Sequence, residues 1–250
     1  MNSMWIKTLA LAAATVGSSH AIFGIGGHWA PAPSLAVKSS TGTLVGSGAS
    51  AVTLTQGKVE GLNGFGLKLW IDALPFVDVE AGSNIQYGLY DVSVAQGSTK
   101  KDITFDLGVP TVDKPGFARI VSDATILYPF LKLPPVVTIA KISAGAGITH
   151  VLATEVLNAG FAKKAVDKAN GATPGSADTP DEVAALLAKT IKDEGLTSGI
   201  GFHIALSVKV SPPIIPVAAY ADIKYHFLSS MPSAVDANSM TMELGAALAF

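Results

Sequence analysis

Alternation with a period of two residues constrains this chain more than any other feature. Residues 199–210 read GIGFHIALSVKV. The even positions are Ile200, Phe202, Ile204, Leu206, Val208 and Val210, and the odd positions are Gly199, Gly201, His203, Ala205, Ser207 and Lys209. Successive side chains of a strand point to opposite faces. Such a segment is a strand with one apolar face and one small or polar face.

The pattern recurs along the chain. Phe65, Leu67, Leu69, Ile71 and Ala73 oppose Lys68, Trp70 and Asp72. Val77, Val79, Ala81, Ile85, Tyr87 and Leu89 oppose Asp78, Glu80, Asn84 and Gln86. Val217, Ala219, Ala221, Ile223, Tyr225 and Phe227 oppose Ala218, Tyr220, Asp222, Lys224 and His226. Met242, Leu244, Ala246, Leu248 and Phe250 oppose Thr241, Glu243 and Gly245, and Phe23, Ile25 and Trp29 alternate with Gly24, Gly26 and His28. Residues 117–128, which include Arg119 and Asp123, alternate less cleanly, as do residues 136–152. Lys141, Ser143, Gly145, Gly147 and Thr149 still mark a small or polar face there.

Three proline turns, at 74–76, 130–135 and 211–216, each join two such segments into a hairpin. Proline stops ladder pairing and presets turn dihedrals. With one strand before and one after, the three hairpins predict eight antiparallel strands. Segments 51–56 and 102–108 are candidates to raise the count to ten. The longer connections, at about 31–63, 95–115, 153–198 and 229–239, are rich in Gly, Ser, Thr and Lys and read as solvated loops. All four fall at one end of the sheet, opposite the short turns and both termini. The third carries helical signals. Thr179, Pro180 and Glu182 form a capping box with proline at the first helical position. Val183, Leu186, Leu187 and Ile191 make an apolar stripe, and Gly195 is the expected stop. A preceding helix is expected over 154–169, giving a helical hairpin within the external loop 152–197.

Composition decides what such a sheet faces. Charged residues are 14% of the chain, apolar residues 49%, and mean hydropathy is +0.43. No apolar run reaches the ~20 residues of a transmembrane helix. Net charge is −2 with no basic cluster, so nucleic acid is not an expected partner. Absence of cysteine removes disulfides, thiolate metal sites and a cysteine nucleophile. Residues 1–21, with Lys7, an apolar centre and Ser19-His20-Ala21, read as a cleaved secretory signal peptide, leaving 22–250 as the domain. The inside of a small barrel has room for small residues, so the bulky face points outward, where hydrocarbon is the matching solvent. Only helices and closed barrels satisfy every backbone group there. A soluble periplasmic ligand-binding barrel, apolar inside, also alternates and is the outside alternative.

Signal peptide, alternating strands, short turns opposite long loops and a final strand ending in Phe250 resemble the small eight-stranded Gram-negative outer-membrane β-barrels. The resemblance implies an all-β, antiparallel, up-and-down transmembrane barrel in the bacterial outer membrane. It implies lipid as a partner and Phe250 as the signal read by the barrel assembly machinery. The expected interior is a polar network of Lys68, Asp72, Asp78, Glu80, Arg119, Asp123, Lys141, His203, Lys209, Asp222, Lys224, His226 and Glu243. An eight-stranded interior is just wide enough to be filled by side chains, which predicts a plugged lumen. The channel alternative uses the helical hairpin as a lid for small or hydrophobic solutes. No catalytic, cofactor or metal motif stands out, so a non-enzymatic structural or surface-binding protein is expected. Trp29, Trp70, Tyr87, Tyr90, Tyr128, Tyr225 and Phe227 are expected near strand ends as interfacial aromatics.

Overall fold

The computed structural model describes residues 23–72, 76–104, 114–133, 139–173, 175, 177–193, 196–212 and 215–250. The expected signal peptide, much of the proline turns and Gly195 lie outside the described residues. The described strands are β1 (Phe23–Trp29), β2 (Ala32–Val37), β3 (Ser40–Val45), β4 (Val52–Gln56), β5 (Val59–Ile71), β6 (Asp78–Leu89), β7 (Val92–Gln96), β8 (Thr99–Asp102), β9 (Gly116–Leu133), β10 (Ala140–Ala153), β11 (Thr197–Val210), β12 (Val217–Leu228) and β13 (Asn238–Ala249). Two helices, α1 (Ala159–Ala172) and α2 (Pro180–Asp193), lie between β10 and β11.

Eight strands close an antiparallel barrel: β1, β5, β6, β9, β10, β11, β12 and β13, each paired with the next. β1 completes it by pairing with β13 on one side and β5 on the other. Phe23 and Phe250 exchange backbone hydrogen bonds of 3.0 and 2.8 Å at the seam. β2 continues β1 along β5 in the same register, which then shifts between Ala32 and Ala36. Pro129 sits within β9, where it has no N–H to donate. The ladder with β10 slips there by one residue, between Ile142 and Ser143.

The remaining strands correct two expectations. Segment 51–56 does form a strand, β4, but outside the barrel. β3, β4, β7 and β8 make a separate four-stranded sheet in that order. The described part of 102–108 ends β8 in the same sheet, so the barrel has eight strands. The described parts of the first three long connections are therefore not solvated loops. The first two pair through β4 and β7, and both helices pack on their sheet. Together they form a folded cap over one end of the barrel.

The cap has its own apolar core. Leu35, Leu44, Val52, Leu54, Val92, Val94, Leu157, Val166, Val183 and Leu187 are all buried, and the core continues into the barrel mouth through Phe117, Val121 and Val151. Tyr90, expected at an interface, is 2% exposed in this core and accepts a 3.0 Å hydrogen bond from the Leu157 amide. Burial pushes its phenol up to about 12.

Both helices start where a side chain satisfies free amides. α1 begins five residues after the expected start, because the Asn158 side chain caps it by accepting from the Phe161 amide at 2.9 Å. Val156 and Leu157 then join the core as extended chain rather than as a first turn. At α2, Glu182 accepts from the Thr179 amide at 3.0 Å and its hydroxyl at 2.9 Å, and the Glu182 amide donates back to Thr179 Oγ1 at 3.4 Å. These bonds hold the Glu182 carboxyl below its ordinary value, with the Asp178 amide adding a third. A depressed acid stabilises the folded helix start above its unfolded pKa and loses that contribution as pH falls through the folded one. The Thr179 amide resonance is expected to titrate with a midpoint below 4.5. A midpoint at 4.5 or higher would mean that the cap does not form.

Glycine permits close approach inside the barrel. A Cβ on Gly147 would collide with the Ala124 carbonyl oxygen and lie 2.6 Å from His203 Cε1. Gly147→Val is expected to abolish refolding into detergent, read as loss of the fast-migrating unheated band on a gel. A normal yield of that band would mean that the strands are farther apart than described.

Candidate functional site: the barrel interior

Alternation along each barrel strand sends one face inward, and all thirteen charged or histidine residues named from the sequence point into the lumen. Most are at most 5% exposed, with Asp72 and Lys141 part-buried toward the barrel end that carries Phe23 and Phe250. A charge removed from water needs a partner at close range, and the cross-barrel pairing supplies it. Lys68 faces Glu243 at 2.9 Å and Glu80 at 3.2 Å, and is hydrogen-bonded to Asp222. Lys224 bridges Glu243 at 2.8 Å and Asp123 at 3.3 Å. Lys209 reaches Glu80 at 3.2 Å and Asp72 at 3.4 Å, while Lys141 holds Asp72 at 2.7 Å and Asp78 at 2.6 Å. Glu80 Oε1 and Glu243 Oε2 lack well-aligned hydrogen bonds, so charge rather than direction pairs them with these lysines. Six carboxylates and five cations thus share the interior, with the four lysines in ion pairs and Arg119 hydrogen-bonded to neutral side chains.

Sequence reasoning missed the neutral members. His28 hydrogen-bonds Asn84 and lies 2.9 Å from the Tyr220 hydroxyl. Asn84 donates to Glu243 at 2.9 Å. Gln86 accepts from Arg119 at 2.7 Å, and Arg119 also donates to Ser239 at 3.0 Å. Their inward parity was readable, but uncharged residues on a polar face carry no signal that singles them out. Trp70, expected at an interface, is 1% exposed and packs edge-to-face on Tyr220 at 5.7 Å. Lys209 lies over its ring at 4.1 Å, a cation–π contact that a charged interior favours. Trp29, Tyr87, Tyr128 and Tyr225 do face outward, between 38% and 59% exposed.

Nearer the cap, Asp123, Thr149, His203 and His226 converge. The Thr149 hydroxyl donates to Asp123 Oδ1 at 2.7 Å and lies 2.8 Å from His203 Nδ1 and 3.1 Å from His226 Nδ1. With its proton on Asp123, the hydroxyl accepts from both imidazoles, and His203 Nε2 is left to accept from Thr125 at 2.9 Å. Hydroxyl, imidazole and carboxylate are the parts of a nucleophilic set, but here the hydroxyl gives its proton to the carboxylate. A general base would take it on the imidazole. All four residues are at most 5% exposed, so a substrate has no access to them.

Outside the lumen, a cleft of about 730 Å³ lies between α1 and α2. Phe161, Ala165, Ala169 and Leu186 give it apolar walls, and Lys164, Lys168 and Lys189 line it as well.

No family model matches the chain, and no curated protein matches it significantly in sequence. Similar solved structures include the outer membrane protein OprG from Pseudomonas aeruginosa, at 12% identity and a TM-score of 0.48, covering 91% of this chain and 95% of that one. Neisserial surface protein A is 12% identical with a TM-score of 0.45, covering 91% and 97%. Ail, the attachment invasion locus protein of Yersinia pestis, is 12% identical with a TM-score of 0.42 and the same coverage. At this identity and these scores the barrel is established by its own closed ladder.

Proposed function

We propose that this chain is an integral outer-membrane β-barrel with a lumen closed by its own side chains and a structural or surface-binding, non-enzymatic role. One observation carries the reading: the polarity of the alternation inverts at the barrel rim. In the cap, β4 buries Val52 and Leu54 and turns Thr53 and Thr55 away from the core. In the barrel, β11 buries His203, Ser207 and Lys209 and exposes Ile200, Phe202, Ile204 and Leu206. Among the described residues, every strongly exposed large apolar side chain lies on a barrel strand or within two residues of one. The same chain therefore builds its cap for water and its barrel wall for hydrocarbon. Monomeric soluble proteins rarely expose apolar patches above a few hundred Å², whereas an apolar band about 25 Å tall is the outer surface of membrane barrels.

Inside, paired charges and the apolar core under the cap favour the plugged lumen over a conducting one. The helical hairpin packs on the cap sheet and shares its apolar core, which runs into the barrel mouth. Surface binding would draw on the cap, where the lysine-lined cleft suits an anionic ligand with an apolar part. Phe250, 64% exposed, turns its ring outward beside the seam, where the assembly machinery could read it. Purified protein should migrate faster unheated than boiled and fractionate with outer membranes, and should give no stable conductance steps in a planar bilayer. Steady ion steps would overturn the plug, and recovery in the soluble periplasmic fraction would overturn the membrane placement.

A further inference from the structure

We infer that Asp123, His203 and His226, with the Thr149 hydroxyl, form a binding site for one zinc-class divalent cation inside the barrel. One candidate ligand atom from each of the three titratable residues lies within 4.8 Å of the other two. Asp123 Oδ1 is 3.6 Å from His203 Nδ1 and 3.7 Å from His226 Nδ1. Thr149 Oγ1 completes the figure at 2.7, 2.8 and 3.1 Å from these atoms. A tetrahedral site with bonds of about 2.0–2.1 Å has ligand–ligand edges of about 3.3–3.4 Å, and the observed edges straddle that value. Two imidazoles with one carboxylate are ligands suited to zinc and its neighbours rather than to calcium or magnesium. The Thr125 hydroxyl, 2.9 Å from His203 Nε2, is placed as the outer partner that orients a ligating imidazole.

The charge of the interior favours the same conclusion. Its six carboxylates exceed its cations by one. Asp123 pairs with one lysine among the described residues, Lys224, which it shares with Glu243, and the Arg119 guanidinium lies near enough to interact with it. The four residues come from β9, β10 and β11 and from β12, so the ion would tie four consecutive strands together. The site rests on barrel geometry alone and stands whether or not the wall faces lipid.

The test uses the full-length chain, refolded in detergent with Zn²⁺ or Co²⁺ present and then freed of unbound metal. Elemental analysis is expected to find one metal per folded chain, and the Co²⁺ form is expected to show the intense visible bands of a tetrahedral site. Chelator should lower the thermal midpoint of the loaded protein. His203→Gln and His226→Gln should each lose the stoichiometric metal, while His28→Gln, a lumen histidine outside the cluster, should keep it. If a cluster variant does not fold, the Co²⁺ spectrum of the unaltered chain still decides. Folded protein that takes up no metal on refolding, or that keeps full metal after both cluster substitutions, would overturn the assignment and leave a hydrogen-bonded cluster only.

Discussion

Ile204→Arg is expected to cost about 2–4 kcal/mol of folding free energy in a lipid bilayer, the range for arginine at the midplane of a membrane barrel. Ile204 lies in the middle of β11, 54% exposed, between Ala146 of β10 and Tyr225 of β12. The side chain points away from the lumen, so the substitution creates no clash and breaks no ion pair. Its effect reports only the solvent outside. In hydrocarbon the guanidinium has to reach for the interface or carry water with it. In water the same change would be neutral or would stabilise, because it removes an exposed apolar group. Urea unfolding in phosphatidylcholine vesicles measures the difference. Ile223→Arg, on the same outward face of the neighbouring strand, should behave likewise, and an unchanged or raised unfolding midpoint in both would place the wall in water.

Glu243→Gln is expected to destabilise the barrel by about 1–3 kcal/mol, the cost of weakening a buried charged hydrogen-bond set, because Lys68 keeps Glu80 and Asp222 and Lys224 keeps Asp123. The Glu243 carboxylate sits between Lys224 at 2.8 Å and Lys68 at 2.9 Å and accepts from Asn84 at 2.9 Å. All four side chains are buried. Neutralising it leaves two ammonium groups facing fewer carboxylates in a low-dielectric interior, where unpaired charge is most costly. Two controls separate this from general damage. Glu60→Gln, which breaks the exposed pair with Lys58, should leave stability unchanged, since exposed pairs are worth little. Replacing both partners, as in Glu243→Leu with Lys224→Met, should recover much of the loss, because apolar residues of similar volume can replace a buried pair. A wild-type unfolding midpoint for Glu243→Gln alone would show that water reaches the lumen freely.

Legibility in the sequence followed the range of the interactions involved. Residue parity along a strand is local, so the inward direction of Lys68, Glu80, His203 and Asp222 could be read from neighbours two positions away. The capping box at Thr179 and Glu182 is closed within four residues and was equally readable. The start of α1 was not, because Val156 and Leu157 satisfy the helical stripe and a buried extended strand equally well. Tyr90 and Trp70 show the same limit. An aromatic near a strand end fits an interfacial girdle, a lumen plug or a cap core, and only the surrounding packing distinguishes them.

The sequence by itself determined the barrel strands, the two faces of each and the end at which the long connections lie, and it left the barrel at eight strands or ten. All of these follow from a two-residue period interrupted by proline and glycine. Tertiary structure alone decided which charges meet and what the connections become. Lys68 and Asp222 are 154 residues apart, and the partner of each inward side chain depends on the stagger at which the barrel closes. β4 and β7 find each other across the intervening barrel hairpin, so the cap exists only once that hairpin has brought them side by side. Alternation fixes the direction of a side chain, but closure of the sheet fixes its distance to every other, and charge pairing and metal geometry depend on that distance.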